Sequence, residues 1–333
     1  MKALVAYGDK SLNVVDIPRG NISADEVLIA PIATGICGTD LDIIDGNIDS
    51  AYVKYPVVLG HEWCGRVVEV GSKVGAVQIG DRVVAEGINP CGICFECVAG
   101  NTNRCTVYDE IGFTRAGAAA ELIVVRSDLI HHVANSVSTE SAVLVEPCAV
   151  VTQGLLKAQL KKNSRILVIG DGTIAMIAAK LVHAWEPSVV HMLGLKDGQA
   201  PLAKQAGVDL FVSSNTHEKY DLIIEASGAS SRITAAIGQL SRGGTLLLLG
   251  FTGRGVSTSI AVDDLVNGDL SILASFGYSR SAWALTVEFL NSGKLDLTFL
   301  VTHRFALESY EDAIVALRHA PSPRGKIVFE IGK

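Results

Sequence analysis

The chain has 333 residues, 49% of them apolar and 19% charged, with a formal net charge of −7. That length exceeds what one hydrophobic core usually supports, so two domains are expected, and the composition excludes a disordered chain. The acidic balance and the lack of a long Lys/Arg run exclude nucleic acid as a partner, and no run reaches the roughly 18 apolar residues of a membrane helix.

Residues 1–7 read as a short strand rather than a secretory signal, and seven cysteines fit a reducing compartment, so a cytoplasmic protein is expected. Alternating runs at 26–30 and 65–71 predict short strands joined by turns, hence a mostly β first domain. Three segments of the chain carry metal-binding side chains: Gly35-Ile36-Cys37-Gly38-Thr39-Asp40, Gly60-His61-Glu62 and Val145-Glu146-Pro147. A thiolate, an imidazole and a carboxylate leave a fourth position open, as a catalytic zinc requires. Singly, each also reads as a buried small hydrophobe, a core histidine or a helix-start acid.

Between the second and third of these segments lie Cys91, Cys94, Cys97 and Cys105, spaced Cys-x2-Cys-x2-Cys-x7-Cys. Four thiolates so close can complete a tetrahedral shell around Zn²⁺; disulfide pairing is the alternative. A closed four-thiolate site has no open position, so it is expected to staple a lobe over residues 86–110 and to leave the chemistry elsewhere.

After about residue 150 the texture changes. Apolar runs at 165–169, 189–193, 221–225 and 245–249 alternate with helical patterns, which predicts a parallel sheet covered on both faces. The first run is followed by Gly170-Asp171-Gly172-Thr173-Ile174-Ala175, the pattern G-x-G-x-x-A. Gly170 allows the tight turn, Gly172 lets backbone approach a pyrophosphate, and Ala175 permits close helix packing, with the helix N-terminus facing the phosphates. Asp171 is awkward: a negative charge in that turn weakens anion binding unless it points away. At the end of the second run, where an acid would hydrogen-bond the ribose of NAD, stands Gly194, followed by Leu195 and Lys196. Losing the acid and gaining a lysine favours the 2′-phosphate of NADP. Beyond residue 275 an amphipathic helix near 283–291, a helix at 310–319 and a strand at 325–331 close the chain.

Together with Gly80-Asp81-Arg82-Val83 and Thr302-His303-Arg304-Phe305, these motifs are similar in order and spacing to those of the zinc-dependent medium-chain dehydrogenases. The chain resembles their sorbitol and threonine dehydrogenase branch over essentially its whole length. The resemblance implies an α/β fold with a GroES-like, mostly β catalytic domain (1–148), a Rossmann doubly wound parallel-sheet domain (149–276) and a C-terminal return to the first domain (277–333). It implies two zinc ions per chain. Cys37, His61 and Glu146 would hold the catalytic one, with Glu62 beside it as an exchangeable carboxylate, and Cys91, Cys94, Cys97 and Cys105 the structural one. Thr39 would start a proton relay, and Gly170, Gly172, Thr173, Ile174, Gly194, Lys196, Gly250 and Phe251 would contact NAD(P).

The activity so implied is reversible oxidation of a secondary alcohol on a polyol, sugar or (amino)cyclitol, by a homodimer or homotetramer. The chain departs from its relatives in two places. Asp42 stands where they often carry a histidine, and Gly277 replaces an arginine that contacts substrate in sorbitol dehydrogenases, leaving Arg280 nearby as a substitute. The segment Ile111-Gly112-Phe113-Thr114-Arg115 is similar to one in aminocyclitol dehydrogenases. A zinc-free quinone or enoyl reductase and a non-catalytic NAD(P)-binding sensor are the competing expectations.

Overall fold

The computed structural model describes residues 1–214 and 216–332. It divides into two units: 1–146 with 279–320 and the chain from Lys326 onward, and 147–278 with 321–325.

In the first unit β1 (Lys2–Ala6) and β2 (Leu12–Asp16) form an antiparallel hairpin. Next come β3 (Glu26–Ile36), the short helix α1 (Gly38–Ile44), β4 (Val57–Val58), which pairs with β1, and β5 (Glu62–Val70). Then follow β6 (Arg82–Ala85), the single turn α2 (Phe95–Val98), β7 (Ile123–Arg126), β8 (Ile130–His132) and α3 (Thr139–Val143). The unit is completed by α4 (Val145–Ala158), whose first residues belong to it, and by four late elements described below.

The second unit is the parallel sheet the apolar runs predict. Its elements are β9 (Arg165–Ile169), α5 (Thr173–Leu181), β10 (Val189–Leu193), α6 (Ala200–Gln205), β11 (Leu210–Val212), β12 (Tyr220–Glu225), α7 (Ser230–Ile237), β13 (Leu240–Leu248), α8 (Val262–Gly268) and β14 (Ser271–Ala274). The strand order is β11-β10-β9-β12-β13-β14, every pair parallel. Leu167, Ile169, Ile223 and Leu246 are at most 2% exposed, because helices cover both faces of such a sheet and no strand face needs to be polar. β13 starts at Leu240, before the apolar run: Leu240 pairs with Tyr220, and the register then shifts across Ser241 to Gly244. Those four polar and glycine residues hid the start of the strand.

The chain returns to the first unit with α9 (Arg280–Asn291), β15 (Val301–Ala306), α10 (Tyr310–His319) and β16 (Lys326–Glu330). A seven-stranded sheet runs β15-β16-β3-β5-β6-β8, with β7 also on β3. Leu4, Ile36, Ile43, Ile44, Phe113, Ile327 and Phe329 form one of its cores. Truncating a fully buried member such as Ile43 to alanine costs about 2–5 kcal/mol. The register places Gly35 opposite Glu62 on one side and Val328 on the other. Donors far apart in sequence thus meet at the C-terminal end of β3. Among the described residues no helix is long and apolar enough to cross a membrane.

Candidate active site

β3 ends where α1 begins, and Cys37 is the residue between them. It is the N-cap, extended at φ −108° and ψ 161°. The Cys37 N–H donates to Asp40 Oδ2 at 2.8 Å, the side-chain half of a capping box. That bond orients Asp40 so that its other oxygen lies 3.6 Å from His61 Nδ1. Cys37 Sγ is 3.7 Å from Thr39 Oγ1. Cys37, His61 and Glu62 each offer a donor atom, and these lie within 4.8 Å of one another.

A zinc ion fits this pocket. A thiol, an imidazole and a carboxylate are the donors Zn²⁺ takes. Among the described residues Asp40 Oδ1 and His61 Nδ1 are buried without a hydrogen-bond partner, a demand that a cation held by the ring's other nitrogen would ease by polarising the imidazole toward Asp40. Burial alone would push the His61 pKa down, but Asp40, Cys37 and Glu146 outweigh it and hold the imidazole well above its ordinary value. The field in the pocket is therefore negative and favours a positive ion.

Glu62 has a partner that the sequence motifs did not single out. Lys326, at the start of β16, is 3% exposed and places Nζ 2.7 Å from Glu62 Oε1 and 2.5 Å from Oε2. The same ammonium donates to the Ile36 carbonyl at 3.3 Å. Gly35 makes room for this arrangement: a Cβ there would fall 2.4 Å from Glu62 Oε2.

Glu146, in the first turn of α4, is 9% exposed and lies outside the 4.8 Å donor set. Burial pushes its carboxyl up to about 8, His61 opposes that, and Glu62 and Glu110 reinforce it. Glu110 is a second residue the motifs missed. It is buried, accepts from the Tyr108 hydroxyl, and stands beside the turn whose Phe113 ring lies 5.2 Å from the His61 ring. Burial also raises Glu110, against Tyr108 and His61. Four acids thus share one pocket with two basic side chains, and a divalent cation would relieve their repulsion.

The four lobe cysteines converge as their spacing predicts. All four sulfurs lie within 4.8 Å of one another, with Cys91 and Cys97 Sγ 3.9 Å apart and no disulfide between them. Backbone N–H groups of Thr106 and Cys97 pull Cys94 down to about 6, while burial pushes Cys97 up to about 12. Cys64 and Cys148, by contrast, are fully buried in their cores, where burial raises them to about 11 and about 12.

In the second unit the glycine turn has the geometry a dinucleotide needs. Gly170 sits at φ +120°, a left-handed conformation, with Ala226 at 3.2 Å from where a Cβ would be. A Cβ on Gly172 would meet nothing within 4 Å, so its backbone faces open space. Thr173 and Ile174 open α5, and Ala175 is fully buried beneath them. Gly250 follows β13 and packs on Gly228, whose nitrogen would lie 2.4 Å from a Cβ. Phe251 is 84% exposed, and Lys196 stands exposed after Gly194.

Two departures from the family pattern have local partners. Arg280 is not free to replace the missing substrate arginine: its Nε lies 3.2 Å from Glu86 and its guanidinium 3.2 Å from Asp128. Asp42 is exposed on α1, and its carboxylate accepts from Asn47 Nδ2 at 3.5 Å.

Residues 23–135 match the alcohol dehydrogenase GroES-like domain, and residues 170–292 the zinc-binding dehydrogenase domain. The chain is 28% identical over 328 residues to sorbitol dehydrogenase of Bacillus subtilis, covering 94% of this chain and 92% of that protein. It is 30% identical to L-threonine 3-dehydrogenase of Burkholderia ambifaria, covering 99% of each. Among solved structures, galactitol-1-phosphate dehydrogenase from Escherichia coli matches with a TM-score of 0.89 at 27% identity, over 99% of this chain and 100% of that one. Fold and site together define an alcohol oxidoreductase built from a GroES-like unit and a nucleotide-binding unit. Within that class, the chain belongs to the zinc-dependent medium-chain dehydrogenase family.

Proposed function

We propose that this enzyme oxidises a secondary alcohol of a polyol, sugar or (amino)cyclitol to a ketone, reversibly, passing hydride to a nicotinamide dinucleotide. The observation that carries the reading is the convergence of half-buried Cys37 with buried His61 and Glu62 within 4.8 Å, in a chain similar to dehydrogenases of sorbitol and galactitol phosphate. We assign two zinc ions per chain. Cys37 and His61 hold the catalytic one, with Glu146 and Glu62 as the carboxylates in reach, and Cys91, Cys94, Cys97 and Cys105 hold the structural one.

Bound at the catalytic donors, zinc supplies Lewis acidity toward the substrate oxygen as negative charge develops there. The residues of the chain do the rest. Asp40 faces His61 Nδ1 at 3.6 Å, placed to orient the ring once metal is bound, and Lys326 holds Glu62 in a fixed pose. The Thr39 hydroxyl, beside Cys37, is placed to accept a hydrogen bond from the substrate hydroxyl and to pass its own proton on toward solvent as the substrate proton arrives, while the hydride leaves the carbon for the nicotinamide. Glu110 and Tyr108 offer polar groups for the remaining hydroxyls of a polyol.

L-Threonine is a second reading, favoured by the threonine dehydrogenase relative. A zinc-free reductase would have no use for the three converging donors. A cytoplasmic homodimer or homotetramer completes the proposal, supported by Val262 and Val266, exposed on α8 in the unit whose sheet ends at β14. Steady-state turnover of the zinc-loaded protein on polyols, cyclitols and L-threonine, with NAD and NADP side by side, tests it. The expected result is highest kcat/KM on a polyol or cyclitol; turnover of L-threonine alone would replace that substrate class, and no turnover of any alcohol would overturn the reading.

A further inference from the structure

At the end of β10, where the ribose-binding acid of a dinucleotide fold usually stands, this chain has Gly194. No side chain fits there: a Cβ would fall 2.4 Å from the Phe211 ring and 3.0 Å from Asp171 Cβ. The second distance shows what fills the place. Asp171 reaches across from the glycine turn, and its Oδ2 accepts the N–H of Leu195 at 2.8 Å and of Lys196 at 2.9 Å. Its backbone is fixed as well. The carbonyl of Asp171 accepts from Gln199 Nε2 at 2.7 Å, and buried Gln199 is itself tied to Arg324 through Nε2 (2.9 Å) and Oε1 (2.7 Å). The carboxylate that looked misplaced in a phosphate turn therefore points away from the turn and toward the end of the second strand. Among the described residues its Oδ1 accepts no hydrogen bond.

We infer that Asp171 supplies the ribose-binding carboxylate from the glycine turn, and so selects a dinucleotide with a free 2′-hydroxyl, NAD, over one with a 2′-phosphate. The inference rests on the dehydrogenase reading above and assigns a residue to its cofactor. Two effects point the same way. A carboxylate pinned by two N–H groups, with one oxygen free, accepts from ribose hydroxyls without further ordering. The two N–H groups that could have bound a 2′-phosphate are already taken, and the phosphate would face a like charge. Against these stands the exposed cation Lys196, which on sequence grounds favours NADP. The geometry reverses that expectation, because an exposed, solvated lysine offers a phosphate less than a fixed carboxylate takes away.

The test is equilibrium binding of NADH and NADPH to the zinc-loaded, full-length protein, read by fluorescence or calorimetry without any substrate. Wild type is expected to bind NADH at least about tenfold more tightly. Asp171→Asn should weaken NADH by about tenfold and tighten NADPH, so that the ratio of the two Kd values collapses. Lys196→Ala should leave the ratio nearly unchanged. A wild-type preference for NADPH that Lys196→Ala removes would overturn the assignment, as would an equal loss of both nucleotides in Asp171→Asn, which marks a purely structural role. If Asp171→Asn does not fold, Asp171→Ser is read the same way. A wild type that binds neither nucleotide would overturn the dehydrogenase reading and this assignment with it, whereas tight NADH binding with no selectivity removes the assignment alone.

Discussion

Replacing Cys37 by serine is expected to lower kcat by about 10³-fold or more while NADH still binds with a nearly unchanged Kd. The separation follows from the architecture. Cys37 lies between β3 and α1 in the first unit, whereas Gly170, Gly172 and Asp171 belong to the second. Serine keeps the size and the capping geometry at Asp40 but is a far poorer zinc donor than a thiolate. Bound metal should fall with the activity, and metal analysis beside turnover checks this. A Cys37→Ser enzyme that turns over normally would remove the catalytic zinc from the account.

The second large effect is structural. Lys326→Met is expected to destabilise the zinc-free protein by about 3–5 kcal/mol, because it strands the Glu62 carboxylate in a site where Glu62 is 1% exposed. The double variant Glu62→Gln, Lys326→Met should recover much of the loss, since breaking a buried pair costs more than removing both of its charges. Zinc loading should also shrink the loss by giving Glu62 another cation. Burial opposes the charge on Lys326, yet Glu62, Cys37 and Glu146 hold its pKa above the ordinary value. A raised lysine contributes fully below its unfolded pKa and loses its contribution only as pH rises through the folded one. The difference between wild type and Lys326→Met should therefore not decline as pH rises from about 6 to about 9, and should grow as the stranded Glu62 ionises. Thermal or denaturant unfolding at several pH values measures it, and a loss that fades across that window would mean Lys326 is not the charged partner.

The legible parts of the molecule were those whose signals are local. β9 and β10 coincide with the apolar runs at 165–169 and 189–193, and α10 with the helical pattern at 310–319, because burial on one or both faces is written in adjacent residues. Cys37, His61 and Glu62 were visible for a similar reason: each sits in a short glycine-containing motif. Lys326 was not, since it lies 264 positions from Glu62 and looks like any lysine near a chain end until β16 pairs with β3. Glu110 likewise gives no sign in sequence that it will be buried near His61. Asp171 was visible, but the direction of its side chain was not, because that side chain is held by Leu195 and Lys196, 24 and 25 residues on.

The cysteine lobe has almost no apolar interior. Its helix α2 buries no residue, and Ile93, Phe95 and Val98 are 86%, 83% and 76% exposed. A segment that hides so little from water has little hydrophobic stabilisation to offset the entropy of ordering its backbone. On the two-zinc reading, the metal then supplies much of the lobe's order, beside hydrogen bonds such as Asn101 Nδ2 to Glu96, and the segment is expected to open first when the metal is lost. Stripping the structural ion with a chelator should make residues 91–105 the first site cut by a protease, while the sheet of the second unit stays intact. Mass spectrometry of the early fragments would show it. The amount of enzyme a cell keeps would then follow its zinc supply through turnover of the chain, before catalysis itself runs short of metal.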